Sequence, residues 1–558
     1  MDQTASGRTF SAKQALAAVP GAVTVSQLDP MELGRAAADI LRPRALAQEL
    51  PIAFSELVKV GLGVSEIGPR QKDRRFDDPT WRTNPYFRRL AQAYHVFEHT
   101  GVRLVDRAGE LGWERQERAR FLANIVTGAF APTNTLAGNP GALKRALETG
   151  GASISRGVRN LVRDAATNGG MPRIVDTSPF RVGENVACTP GAVVFRDEMF
   201  EILQYTPTTP TVRQRPLVIV PPQLNRYYIL DLAPGRSLVE YAVANGVTSF
   251  MVVWRNPTKE HGDWALDDYL AAMRRVIDVV RVISGTDDVN WLGLCAGGAT
   301  SALLLGHLAS QGEQPIHSAT FVVTMLDSRH PNMVGTLSTR RIRRIVDRDA
   351  SRRRLYGNKA VGRNFAWMRP QDLVFDYVVR GWLLGENPPG YDILAWNDDT
   401  TRITAAFERD SLEVLATDKI TRPGEVTVLG SALDLGQVSI DTFHIAGLKD
   451  HITTWRPCYM TSQVLGGQSE MVIADTGHIQ TFVNPPDSPR YHYWTAPASE
   501  KDPDEWMSNA TRHEGSWWPQ WAQWLLDRSG EERPASTDLG SPQYPPLEAA
   551  PGLYVHEK

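Results

Sequence analysis

An apolar run, Val289-Asn290-Trp291-Leu292, passes directly into Gly293-Leu294-Cys295-Ala296-Gly297-Gly298, and a helix-like stretch over 299–308 follows. Few folds accept that order. A strand that turns at once into a helix lifts one side chain clear of the backbone, the layout of a nucleophile elbow. Glycine is needed on both sides, because a Cβ at either place would collide in so tight a turn. The lifted atom here is sulfur. A thiolate is soft and leaves readily, which suits repeated exchange of an acyl group between thioesters.

Composition narrows the setting. A chain of 558 residues has room for about two to four domains. Its 42% hydrophobic and 22% charged residues are ordinary for a globular protein. Acidic and basic side chains nearly cancel, 63 against 60, so nothing calls for a nucleic-acid partner. Three dispersed cysteines, Cys188, Cys295 and Cys458, speak against a disulfide framework or zinc site and favour a reducing, cytoplasmic compartment. The opening Met1-Asp2-Gln3-Thr4 lacks the basic-then-apolar pattern of a signal peptide. No run of about 18 apolar residues occurs, so no membrane span is expected. Phosphate-loop, His-Glu-x-x-His and dinucleotide patterns are missing too, and no metal or nucleotide cofactor is indicated.

Residues 1–30 are small and polar and read as mobile. Apolar residues then recur at three- and four-residue spacing over 31–50, 88–99, 113–129 and 142–168, predicting helices. After about residue 190 short runs rich in Val, Ile and Leu (215–222, 247–254, 289–294, 319–326, 438–446, 470–474) alternate with helix-length segments. Such alternation predicts an α/β fold with a parallel sheet. The expected domains are a mainly helical N-terminal one (1–190) and an α/β catalytic one (191–527). The second is interrupted at about 328–433, where the alternation fails and a cap would sit, and a Pro-, Ser- and Glu-rich tail (528–558) should be poorly ordered.

A cysteine thiol with a pKa near ~8.5 needs a base or a positive helix end to ionise. The helix after the turn supplies the second. Where a nucleophile sits on such a turn, an acid and then a histidine follow along the chain, each beyond the carboxyl end of a strand. Asp450, after the run 438–446, and His478, after 470–474, satisfy that order. Cys295 is thus the candidate nucleophile and His478 the general base and acid. Asp450 would orient the imidazole and stabilise its cation. His451 is a rival base, although its place before a helix start suits a loop-fixing role better. Asp475 lies so near His478 in sequence that solvation is its plainer reading. Cys188 and Cys458 read as packing.

The oxyanion formed on a thioester carbonyl needs two donors. One is the backbone amide of Ala296. The other should come from the loop Pro221-Pro222-Gln223-Leu224-Asn225, where the prolines have no N–H and Gln223, Leu224 or Asn225 must donate. Arginines between Arg340 and Arg354 could draw in a phosphorylated substrate, but a solvated helix face is the plainer reading.

Together these segments resemble the polyhydroxyalkanoate synthases, which polymerise (R)-3-hydroxyacyl-CoA into storage polyester and release coenzyme A. The resemblance runs from about Phe76 to Trp524. It rests on the stretch 221–232, Trp254-Arg255-Asn256-Pro257, the elbow, Phe365-Ala366-Trp367-Met368-Arg369-Pro370 and Asp392-Ile393-Leu394-Ala395-Trp396-Asn397. Asp450-His451-Ile452, Gly477-His478-Ile479 and Gly515-Ser516-Trp517-Trp518-Pro519 complete it. It implies an α/β-hydrolase core, an N-terminal helical domain, a mobile cap, a working homodimer and association with the polyester granule surface. It also implies a triad of Cys295, Asp450 and His478, and among the open loop donors it matches Leu224 to the second oxyanion position beside Ala296. Trp396 falls in the cap motif near the cysteine; His451, Trp396 and Asn225 are expected in supporting places. Thr454, where proline is common, and Leu294 depart from the usual pattern. The same residues would also serve a thioesterase, with water as acceptor, and a non-catalytic granule protein could keep the fold for binding alone.

Overall fold

Short buried strands and proline-punctuated helices divide this chain into two packing units, in a computed structural model that describes residues 30–69, 73–350, 352, 354–357, 366–486 and 490–558. The expected mobility of the first thirty residues falls outside these, apart from Pro30. One unit comprises 1–177 with 359–394, the other 178–358 with 395–558.

The first unit is helical: α1 (Pro30–Ile40), α2 (Pro43–Leu62), α3 (Pro85–Ala108), α4 (Trp113–Ala129), α5 (Pro140–Glu148) and α6 (Ala152–Thr167). The single helix expected over 31–50 is two, because Pro43 suits the first turn of a new helix better than the interior of an old one. The segment 142–168 divides at Gly150 and Gly151, both at positive φ. Buried Glu49 on α2 is held by Arg103 and Arg107 of α3, each at 2.6 Å, so its charge is paired inside the unit.

The stretch 366–394 packs on α6. Asn160 Nδ2 donates to the carbonyls of Gly381 (2.9 Å) and Glu386 (3.2 Å), and Trp382 Nε1 donates to Asp164 Oδ2 at 3.0 Å. This corrects the expected insertion: its middle belongs with the N-terminal helices rather than the catalytic domain. The physical reason lies on α6, whose buried face carries polar Asn160 and Asp164 that need partners. The boundary before the second unit falls at 177/178, not at 190.

The second unit is built on a ten-stranded sheet. Its strands are β1 (Gly191–Arg196), β2 (Phe200–Tyr205), β3 (Leu217–Val220), β4 (Ser249–Trp254), β5 (Val289–Leu294), β6 (Ile316–Val322), β7 (Asp441–Gly447), β8 (Ser469–Ala474), β9 (His492–Pro497) and β10 (Thr511–Glu514). They lie in the order β1-β2-β4-β3-β5-β6-β7-β8-β9-β10. The middle six are parallel, and an antiparallel pair flanks them at each edge. β3, β4 and β5 are buried along their whole length, as strands covered on both faces must be. Among the covering helices, α7 (Leu266–Ser284), α8 (Ala296–Ser310) and α9 (Trp455–Ser462) follow strands of this core, and α10 (Trp518–Leu526) closes it. The late tryptophans are core: Trp517 donates to Thr481 O at 2.7 Å and Trp521 to Thr320 Oγ1 at 3.1 Å, while buried Trp518 leaves its Nε1 unpartnered.

Residues 528–558 are not the poorly ordered tail that composition suggests. Glu532–Pro534 pairs antiparallel with Thr211–Arg213. Residues 547–550 then run along the free edge of β1, where Leu547 N donates to Val193 O, Val193 N to Glu548 O and Ala550 N to Gly191 O. An open sheet edge offers unpaired backbone groups, and this segment satisfies them. No described helix is long and apolar enough to cross a membrane.

Candidate active site

Cys295 is the single residue between β5 and α8 and adopts φ 51, ψ −116. A non-glycine residue at positive φ is strained and persists only where its surroundings are tightly packed. They are. A Cβ on Gly293 would lie 2.5 Å from Gly298 Cα, and one on Gly297 would lie 2.5 Å from Val220 O and 2.7 Å from Pro221 O. The first turn of α8 therefore rests on the end of β3, directly beside the loop expected to supply an oxyanion donor.

Asp450 lies in the turn after β7, and His478 opens the short helix His478–Phe482 after β8. The imidazole Nδ1 donates to Asp450 Oδ2 at 2.6 Å; the Asp450 side chain is fully buried and His478 is 12% exposed. Asp450 Oδ1 accepts the amides of Ile452 (2.8 Å) and Thr453 (3.1 Å), which hold the carboxylate by its own turn. Thr453 Oγ1 adds a bond to Asp450 Oδ2 at 3.0 Å and lies 3.2 Å from His478 Nδ1. Sequence reasoning missed Thr453. Its signal was the short polar run after an aspartate, which reads equally as an ordinary turn.

Burial alone would lower the pKa of His478. The Asp450 charge and hydrogen bond outweigh it, Cys295 adds to the same effect, and the pKa rises to about 10. Asp450, desolvated yet facing the imidazole and its turn donors, is held below its ordinary value. A ring this basic takes a proton from sulfur at little cost.

The same shift ties stability to pH. The folded protein binds the His478 proton more tightly than the unfolded chain, so the stabilisation is complete below about pH 6.5 and is lost as pH rises through about 10. Asp450 shifts the other way, and its contribution is lost as pH falls below its ordinary value of 3.8. The difference in melting temperature between the native chain and Asp450→Asn should therefore be large at pH 6 and shrink by pH 10.5. Thermal melts at the two pH values check it; a difference that grows with pH contradicts this account.

Asp475, the alternative acid, binds Lys449 at 2.8 Å and lies 3.5 Å from His492, away from the His478–Asp450 pair. His451 is half-buried beside Asp450, whose Oδ2 is bound by His478 instead. In the oxyanion loop Leu224 is partly exposed, and Gln223 Nε2 ties the loop to α8 through Thr300 Oγ1 at 2.9 Å. Asn225 is buried, with its Oδ1 unpartnered. Trp396 is buried and donates to Arg226 O at 2.8 Å. Trp367 packs edge-on against Phe375 in the first unit. Of the arginine cluster, Arg343 donates to Ser338 O and Ala416 O, Arg354 pairs with Asp263, and Arg353 lies outside the described residues. Burial pushes the Cys458 thiol well up, with Asp450 and Cys295 adding to it, while Cys458 Sγ donates to Thr453 O at 3.4 Å.

Residues 72–242 match the family described as the N-terminus of poly-beta-hydroxybutyrate polymerase (PhaC), and 216–485 match the alpha/beta hydrolase fold. Poly(3-hydroxyalkanoate) polymerase 1 of Ectopseudomonas oleovorans is 42% identical over 505 residues, covering 90% of each chain. Polymerase 2 of the same organism is 41% identical over 514 residues, 92% of this chain and 91% of its own. The Poly(3-hydroxyalkanoate) polymerase subunit PhaC of Cupriavidus necator is 38% identical over 505 residues, 89% of this chain and 85% of its own.

Proposed function

The chain belongs to the poly(3-hydroxyalkanoate) polymerases, and from that premise we propose that it polymerises (R)-3-hydroxyacyl-CoA through an acyl group carried on Cys295. The observation that carries the mechanism is the strained elbow together with the Asp450–His478 pair, whose ring basicity Cys295 raises.

Cys295 passes its proton to His478 and attacks the thioester carbonyl. The oxyanion is held by the amides of Ala296 and Leu224 until the bond to coenzyme A breaks. Coenzyme A leaves as its thiol, taking from the His478 imidazolium the proton that came from Cys295, so that the ring is a free base again. The 3-hydroxyl of the next hydroxyacyl-CoA is a poor nucleophile until His478, polarised by Asp450, removes its proton. It attacks the acyl-enzyme, an ester forms, and the Cys295 thiol is regenerated. Transfer of the lengthened chain back to Cys295 releases a second coenzyme A. Thr453 and His451 border the pair, and Asn225 and Trp396 border the oxyanion loop.

Water competes with the hydroxyl, and excluding it separates polymerase from thioesterase. The three scattered cysteines fit a cytoplasmic site of action. Granule association has support in α2, where Leu50, Phe54, Leu57 and Val58 repeat at helical spacing and are exposed, Phe54 at 70%. A homodimer rests on the family resemblance. The test is mass spectrometry of the purified protein after brief exposure to 3-hydroxybutyryl-CoA. The expected result is an acyl adduct on the peptide bearing Cys295 and growth of polymer; free 3-hydroxy acid without polymer favours the thioesterase.

A further inference from the structure

Three of the motifs that carry the family resemblance converge on one place. Arg226, in the loop after β3, is 3% exposed. Its Nη1 donates to Tyr554 O at 3.1 Å, its Nη2 donates to Glu557 O, and its Nε lies 3.5 Å from Asp399 Oδ1. Arg255, from the second motif, places Nε 3.1 Å from both carboxylate oxygens of Glu557, and Asn256 Nδ2 donates to Glu557 O at 3.1 Å. Trp396, from the third, donates to the carbonyl of Arg226 itself. The far segment is held independently: Glu201, buried on β2, accepts the amides of Leu553 and Tyr554. Asp399 in turn takes Tyr228 Oη and Lys558 Nζ, each at 3.1 Å.

We propose that Arg226 is a positioning residue that clamps the oxyanion loop to residues 554–558, and thereby sets the height of the Leu224 amide over Cys295. The proposal rests on the functional reading above, because it needs Leu224 as an oxyanion donor. A buried guanidinium has five donors and no acceptor, so it holds its chain rigidly when carbonyls meet it. Arg226 lies two residues beyond Leu224, and both its side chain and its own carbonyl are fixed. The loop between has proline behind it and no regular structure of its own. Without the clamp the Leu224 amide can drift, and about 1 Å of misplacement costs on the order of a hundredfold in rate.

The test separates the oxyanion hole from the nucleophile. Alkylation of Cys295 by iodoacetamide needs the activated sulfur but no oxyanion donor; acylation by 3-hydroxybutyryl-CoA needs both. Four proteins are compared with wild type: Arg226→Lys, Arg226→Met, Trp396→Phe and a chain ending at Leu553. Arg226→Met and the shortened chain should acylate roughly ten- to a hundredfold more slowly in single turnover. Arg226→Lys should fall between them and wild type. Trp396→Phe, which removes the N–H donated to Arg226 O and keeps an aromatic ring, should lose several-fold. Alkylation should stay within about twofold throughout. Wild-type acylation rates in Arg226→Lys and Trp396→Phe overturn the proposal. So does a parallel fall of acylation and alkylation in those two mild variants, which would mark Arg226 as a support of the whole fold. If wild-type Cys295 takes up no acyl group, the polymerase reading fails and the clamp with it; normal wild-type acylation beside unaffected variants sinks the clamp alone.

Discussion

Cys295→Ala should reduce coenzyme A release from 3-hydroxybutyryl-CoA by roughly 10⁴- to 10⁶-fold, close to the uncatalysed rate. The elbow presents one side chain, and alanine leaves nothing there to carry the acyl group. Neither remaining thiol can take over. Cys458 is buried, donates to Thr453 O, and has its pKa pushed well up by burial and by the charges of Asp450 and Cys295. Burial and the charges of Asp231 and Glu240 raise Cys188 as well. Alanine is smaller than cysteine and retains a Cβ at positive φ, so the strain of the turn is unchanged and the fold should survive. The measurement is thiol release from the substrate, with circular dichroism alongside. Unchanged release from a folded variant would remove Cys295 from the mechanism and favour a non-catalytic protein.

The elbow was legible in sequence because its constraint is local: apolar strand, glycines and helix within twelve residues. The parallel strands were legible for a related reason, since burial on both faces leaves continuous apolar runs such as Leu217–Val220. The antiparallel edges were not. β9 mixes polar and apolar residues and is only partly buried, and β10 reads Thr-Arg-His-Glu and is mostly exposed. The segment 528–558 misled for a different reason. Its Pro, Ser and Glu content matches disorder, yet its order comes from distant partners: the edge of β1, buried Glu201 and the guanidinium of Arg226. Composition carries no trace of contacts made across more than three hundred residues. Thr453 was invisible likewise, since its role depends on where two loops meet.

Asp450→Asn should slow steady-state turnover by roughly 10³- to 10⁴-fold while the protein stays folded. The carboxylate is surrounded by donors: two backbone amides on Oδ1, and the Thr453 hydroxyl and His478 Nδ1–H on Oδ2. An asparagine offers one carbonyl oxygen and one NH₂ group. Its oxygen satisfies the amides of Ile452 and Thr453, which leaves the NH₂ facing the ring. Two donors cannot share that line, so the imidazole must give up its Nδ1 proton and carry one on Nε2 instead. In that tautomer it cannot accept the proton of Cys295. The charge that raises His478 to about 10 is also lost, and the ring should titrate far lower. Cys295 remains in place, so an acyl adduct should still form, slowly, and accumulate because the incoming hydroxyl is no longer activated. Rapid-quench measurement of adduct against coenzyme A release distinguishes the two steps. Turnover at the native rate would show that His478 works without its buried carboxylate.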